Sequence, residues 1–143
     1  MNREILFRGK WIDNGEWVHG YLIGDDVIVG EIIEFEDEYF YCEFWWKVDP
    51  KTVGEFTGLC DKNGAKIFEG DILNFSVFDH NGNDTQHKGC IIFNCEWQIW
   101  KTPEDEFYGS DGAFHLGWVR AQDDEIEIID NIHDNSELLK GDL

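Results

Sequence analysis

The sequence predicts an all-β fold in two parts, with an aromatic-rich N-terminal meander or small sheet over residues 1–58 and a C-terminal β unit over residues 59–143. Three observations predict it. Short apolar runs of strand length recur, as in Ile72-Leu73-Asn74-Phe75-Ser76-Val77-Phe78, and they are β-branched in part. Turn dipeptides separate them, Asn14-Gly15 and Asn63-Gly64 above all. The aromatic residues crowd into the first half, most densely as Tyr39, Phe40, Tyr41, Phe44, Trp45 and Trp46.

Taken in order, residues 5–11 and 17–23 read as two strands joined across Asn14-Gly15. Period two places Trp17, His19 and Tyr21 on one face of the second strand and Val18, Gly20 and Leu22 on the other. Gly24-Asp25-Asp26 is a turn before Val27-Ile28-Val29. Residues 31–38 mix Ile32, Ile33 and Phe35 with five carboxylates; the β-branched residues favour an irregular strand ending in an acidic loop. The aromatic stretch over residues 39–48 is expected to end at Asp49-Pro50, since the residue before a proline is restricted. A short strand at residues 53–57 leads to the middle of the chain.

That middle, Thr57-Gly58-Leu59-Cys60-Asp61-Lys62-Asn63-Gly64-Ala65-Lys66-Ile67-Phe68-Glu69-Gly70-Asp71-Ile72, organises the rest. Asp61-Lys62-Asn63-Gly64 is a turn with a mechanism: the aspartate accepts from amides further along, and Asn-Gly tolerates positive φ. Glu69-Gly70-Asp71 breaks the chain before the next buried strand, so Gly70 is expected to need a positive φ or a close backbone approach. Beyond Phe78, residues 79–89 read as a polar loop, 90–100 as a strand bent at Asn94, and 103–112 as a second polar loop. Residues 113–121 read as a strand, 122–124 as a turn, 125–130 as a strand, 131–139 as irregular with room for one helical turn, and 140–143 as a frayed end.

Several segments together resemble the YopX-like family of bacteriophage and prophage proteins. They are Phe7-Arg8-Gly9-Lys10, Asp13-Asn14-Gly15-Glu16-Trp17-Val18 and Val48-Asp49-Pro50-Lys51-Thr52-Val53-Gly54, the central motif (Gly58, Asp61, Asn63, Gly64, Gly70 and Asp71 as its structural residues), and Asp130-Asn131-Ile132-His133-Asp134-Asn135-Ser136-Glu137-Leu138-Leu139. The likeness covers nearly the whole chain in order. In the closing segment, Asp130, His133 and Ser136 stand where the family usually has Gly, Tyr and Pro. The resemblance implies an SH3-type small β-barrel in the C-terminal half. It carries over no activity and no catalytic residue.

Composition narrows the function. The 143 residues carry a formal net charge of −20, with 42% hydrophobic and 15% aromatic residues, enough apolar material for a core. No basic patch is present, and Arg3, Arg8, Lys10, Lys47 and Lys51 place much of the scarce positive charge in the N-terminal part, so direct nucleic-acid binding is not expected. Met1-Asn2-Arg3-Glu4 lacks the apolar core of a signal peptide, and no apolar run is long enough to span a bilayer; a cytoplasmic location in a bacterial host, with no membrane partner, is the expectation. In that compartment Cys42, Cys60, Cys90 and Cys95 are expected to be reduced, mostly buried small side chains.

Asp79-x-Asn81-x-Asn83 opens like a calcium loop, but Asp84 and Cys90 stand where a glycine and a glutamate are required. His80, His87, Cys90 and Cys95 lack zinc-ligand spacing; Cys90 and Cys95, five apart on one strand, would point to opposite faces, and His115 stands alone on its own strand. No nucleophile elbow, phosphate loop or dinucleotide fingerprint occurs. No cofactor, metal or catalytic residue is therefore expected, and an unrecognised carboxylate site is the enzymatic alternative. The acidic surface reads as solubilising charge or, as a binding alternative, as a mimic of nucleic acid directed at a host DNA-binding protein. Clusters at 36–38, 104–106 and 123–127 are short and scattered, which favours the first. The remaining expectation is a homo-oligomer. A thin N-terminal sheet covers one face with its own core, and Trp17, Tyr21, Tyr39 and Trp45 are left for an interface.

Overall fold

The computed structural model describes residues 4–30, 32–42, 44–78, 81–93, 96–100, 114–122 and 125–135. The described chain is nearly all β, with two antiparallel sheets, a separate two-stranded ribbon and one short helix. It divides into two compact units, Met1–Gly58 and Leu59–Leu143.

In the first unit, β1 (Phe7–Trp11) and β2 (Trp17–Ile23) form a hairpin. Asn14 Oδ1 accepts the Glu16 amide at 2.9 Å, the local hydrogen bond that makes Asn a turn residue. β2 pairs with β3 (Val27–Val29), and β3 with the start of β6 (Trp45–Cys60). The later part of β6 returns to β1, so hydrogen bonding runs round β1, β2, β3 and β6. The side chains turned inward from these strands are Val18, Ile28 and Val48, with Phe7, Trp11, Leu22, Trp46 and Val53 packed around them.

β6 corrects the expectation that the chain breaks at Asp49-Pro50. It runs through both residues as one strand. The physical reason is a bulge: Asp49 faces Lys10 and Gly54 faces Arg8, so the residues between them on β6 oppose Gly9 alone. Proline is tolerated where the ladder is interrupted. There the Thr52 hydroxyl replaces the backbone, accepting from Lys10 N at 2.8 Å and donating to Asp49 O at 2.6 Å.

β4 (Ile32–Phe35) and β5 (Phe40–Cys42) form the separate ribbon, closed by Glu36 N donating to Tyr39 O at 2.8 Å. The expected irregular strand with an acidic end is thus one arm of a hairpin, with a register shift between Ile32 and Glu34.

In the second unit, β7 (Lys66–Phe68) precedes a five-stranded antiparallel sheet. It is built from β8 (Asp71–Phe78), β9 (Asp84–Phe93), β10 (Trp97–Trp100), β11 (Phe114–His115) and β12 (Glu127–Asn131), in the order β11-β10-β9-β8-β12. Its core joins Ile67, Leu73, Phe75, Val77, Ile91, Ile99, Leu116, Val119 and Ile126.

Three expectations change here. Residues 113–121 are not one strand: after β11 the chain forms helix α1 (Leu116–Gln122). Leu116 and Val119, three apart, are buried on one side of it, while Gly117 and Trp118 are exposed; the segment is too short for helical periodicity to stand out from a strand pattern. The polar stretch from residue 84 to 89 is the first half of β9, paired with β8 from Phe78↔Asp84 to Leu73↔Gly89. Cross-strand pairing keeps these polar residues extended, and Thr85 Oγ1 donates to Val77 O at 3.1 Å. The 90–100 stretch is two paired strands, with Trp97 opposite Phe93 and Trp100 opposite Cys90. Asn94, Cys95, Asp79, His80, the 103–112 loop, the 123–124 turn residues and the end from residue 136 lie outside the described residues, as does the expected opposition of Cys90 and Cys95.

Candidate interaction surface

The outer face of the first unit follows from strand alternation. Directly paired residues share a face, and the register sets Tyr21 opposite Val29 and Val29 opposite Trp45. One row therefore crosses β2, β3 and β6. Tyr21 and Trp45 flank Val29, which is 3% exposed, while they themselves are 51% and 63% exposed. The neighbouring row is Ile23, Val27 and Lys47, with Lys47 Nζ 3.2 Å from Asp26 Oδ2. Period two thus put Trp45 on the side away from Trp46 and Val48: Val48 is buried, Trp46 half-buried and Trp45 open.

Trp17 has a different setting. Its ring lies under the Arg8 guanidinium, 4.4 Å from the centroid, with Lys10 Nζ at 5.5 Å. Lys10 pairs with Trp17 across β1 and β2, and Arg8 with His19, so both cations share its face. Arg8 is itself buried, 8% exposed, so this contact between cation and ring is largely shielded from water. Trp17 is half-buried as a result.

Tyr39 lies on the β4–β5 ribbon, 57% exposed and edge-on to Tyr41, with ring centroids 5.4 Å apart. Tyr41, Phe44, Ile12 and Ile23 are also exposed, and sequence reasoning did not single them out for an interface. For Tyr41 a signal existed, since it stands two residues after Tyr39. Phe44 is exposed but stacks on Trp46, with planes 10° apart and centroids at 6.1 Å.

The central motif does structural work within the second unit. Asp61 is buried, and its Oδ1 accepts Asn63 N and Ala65 N, each at 2.9 Å, while Oδ2 accepts Ile128 N at 3.1 Å. Asp61 N donates to Ala65 O at 2.8 Å, which closes a three-residue loop with Gly64 at φ 81°. One carboxylate thereby shapes the loop and ties it to β12. Asp71, also buried, accepts Phe68 N at 2.8 Å through Oδ2. Gly70 between them has φ 93°; its amide donates to Ile91 O and its carbonyl accepts Ile132 N, both at 2.9 Å. Gly58 also has a positive φ, 91°, and Asn63 is exposed on the loop. These carboxylates satisfy backbone amides, the role of a group that fixes a turn.

Among the described residues no group of three or more His, Cys, Asp or Glu could hold a metal ion. Cys42, Cys60 and Cys90 are free thiols, the last fully buried. His87 stacks on Phe75 with Thr85 Oγ1 2.8 Å from Nε2, and His115 pairs with Glu96. Among the described residues no helix is long and apolar enough to cross a membrane.

Comparison with known proteins adds the family. Residues 6–140 match the family model described as YopX protein, and the chain belongs to that family. A search of the curated proteins finds no match. Among solved structures, the crystal structure of protein EF1440 from Enterococcus faecalis is similar. Its TM-score is 0.55 at 21% identity, covering 96% of this chain and 99% of that one. That likeness concerns the fold.

Proposed function

We propose that this YopX family member is a bacteriophage or prophage accessory protein that works by binding rather than by catalysis, in the cytoplasm of a bacterial host, and that it acts as a homo-oligomer. The observation that carries this reading is the Tyr21–Val29–Trp45 row on the outer face of the first unit. Aromatic side chains held open in a row on a sheet face supply apolar area at little entropic cost, and such surfaces mark interfaces. A symmetric dimer is the simplest closed assembly that covers it. Light scattering at moderate salt tests this with wild type and Trp45→Ser. The wild type is expected above monomer mass and the variant at or near it. A monomeric wild type ends the reading, and an oligomer indifferent to the substitution removes Trp45 from the interface.

The resemblance further supports reading the second unit as an SH3-type small barrel. Its last strand, β12, pairs with its first long strand, β8, and α1 precedes β12, an arrangement suited to a small sheet that curls on itself.

The net charge of −20 favours a second reading, an acidic inhibitor that occupies a host nucleic-acid-binding protein. Pull-down from bacterial lysate at low and high salt separates it from the first. A mimic captures basic DNA-binding proteins and releases them as salt rises. Capture of a neutral partner indifferent to salt speaks against mimicry.

A further inference from the structure

Asparagine followed by glycine is prone to spontaneous deamidation, because glycine has no side chain to shield its own amide. The glycine nitrogen attacks the asparagine Cγ, the side-chain nitrogen leaves as ammonia, and a succinimide ring closes. Water then opens the ring at either carbonyl, leaving aspartate or isoaspartate. One water is consumed and one ammonia released for each residue changed.

The chain carries this dipeptide at Asn14-Gly15, Asn63-Gly64 and Asn81-Gly82. Every residue of the three pairs is exposed, and the glycines have closely similar φ values of 75°, 81° and 80°. Dipeptide identity, exposure and backbone angle therefore set no order among them. The surrounding turns do.

In the β1–β2 turn, Gly15 N donates to Trp11 O at 2.8 Å, Asn14 Oδ1 accepts Glu16 N at 2.9 Å, and Trp11 N donates to Glu16 O at 2.9 Å. The attacking nitrogen is engaged, and the carboxamide it would attack is held by its own oxygen. At the central motif, Asp61 takes three successive amides. Its Oδ1 accepts Asn63 N and Ala65 N at 2.9 Å each, and its main-chain oxygen accepts Gly64 N at 3.0 Å. Both turns have to open before a ring can close, and opening a hydrogen-bonded turn costs free energy.

Asn81-Gly82 lies past the last rung of the β8–β9 ladder, Phe78↔Asp84, in the longer connection of residues 79–83. A longer connection has more conformers, and an exposed loop tip samples them at little cost. Conformers that bring Gly82 N up to Asn81 Cγ are reached there without breaking strand pairing.

We propose that Asn81 is the site at which this protein deamidates, and that the turns at Asn14 and Asn63 protect the other two Asn-Gly pairs. The reaction turns a neutral side chain at the tip of the β8–β9 hairpin into a carboxylate. By the isoaspartyl route it also sends the main chain through the side chain and lengthens the connection by one methylene. Deamidation at Asn81 is independent of the homo-oligomer reading.

Peptide mapping by tandem mass spectrometry tests it on the full chain, held in a warm, mildly alkaline buffer and sampled over time. Asn81 is expected to deamidate at least about tenfold faster than Asn14 or Asn63. In urea, where the turns are lost, the three pairs are expected to react at similar rates, which isolates the fold as the cause. Asn81→Gln, whose longer side chain closes a ring far less readily, is expected to remove the main acidic species on ion exchange. Asn14 or Asn63 reacting as fast as Asn81 in the folded chain overturns the assignment. So does a folded chain in which none of the three pairs reacts while the unfolded chain does, and so does an acidic species that persists in Asn81→Gln. A preference for Asn81 that survives in urea overturns the protection by the turns.

Discussion

The two units treat their apolar residues in opposite ways. Among the described residues, the second unit gathers nine buried side chains into one cluster, from Ile67 to Ile126, and leaves only Phe93 and Trp118 as exposed large hydrophobics. The first unit buries Val18, Ile28 and Val48 at its centre and leaves Ile5, Ile12, Tyr21, Ile23, Tyr39, Tyr41, Phe44 and Trp45 exposed. Hydrogen bonding in the first unit runs round β1, β2, β3 and β6, and the cluster inside it is small. The unit's many aromatics are pushed outward. The second unit lays a five-stranded sheet against α1 and fills the space between. Changes in the large core are expected to act on stability, and under the proposed homo-oligomer reading changes on the aromatic face are expected to act on association.

Phe75→Ala is expected to show the largest effect. Phe75 is 2% exposed and packs edge-on against Phe114 at 5.3 Å, so truncation leaves a cavity and costs about 3–5 kcal/mol. Chemical denaturation of wild type and variant measures it, and a loss below about 1 kcal/mol breaks the picture of a tightly filled second unit. Asp61→Ala comes next. It strips three backbone amides of their acceptor, each worth about 1–3 kcal/mol if left dry. Water reaches the loop amides, so about 2–3 kcal/mol in total is expected, and Asp61→Asn should recover part of it.

Gly70→Val follows, at about 1–3 kcal/mol, because φ 93° is strained for a β-branched residue. A Cβ there also meets His133 Nε2 at 3.2 Å. Lys62→Ala in the same motif serves as its control. Its partner Glu127 is 3.4 Å away and both side chains are partly exposed, so a shift under about 0.5 kcal/mol is expected. Equal melting temperatures for Gly70→Val and Lys62→Ala would refute the account of the motif. Trp45→Ser closes the series. With its ring 63% exposed, stability of the isolated chain is expected to move by no more than about 0.5 kcal/mol, while oligomer mass falls. A large loss of stability with unchanged mass would mean that Trp45 belongs to the first unit's core.

Much of this was legible in advance. The all-β character, the hairpin at Asn14-Gly15 and the positive φ at Gly70 follow from local chemistry. Turn residues act over a few positions, and alternation needs only neighbours. The exposure of Trp45 against the burial of Val48 was likewise readable from period two. α1 was not, since seven residues with two apolar anchors fit a helix or a strand equally well until something packs on them. Nor was the passage of β6 through Pro50, which depends on a threonine hydroxyl meeting Lys10 from forty-two residues away.

The sequence by itself determined where the chain turns, which residues alternate, and that its surface is acidic, because these depend on single residues and their immediate neighbours. Tertiary structure alone decided that the 32–42 segment stands as a ribbon apart from both sheets. It also decided that Asp61 reaches Ile128, sixty-seven residues on. Those outcomes depend on which strands find each other, and pairing partners distant in sequence leave no local trace.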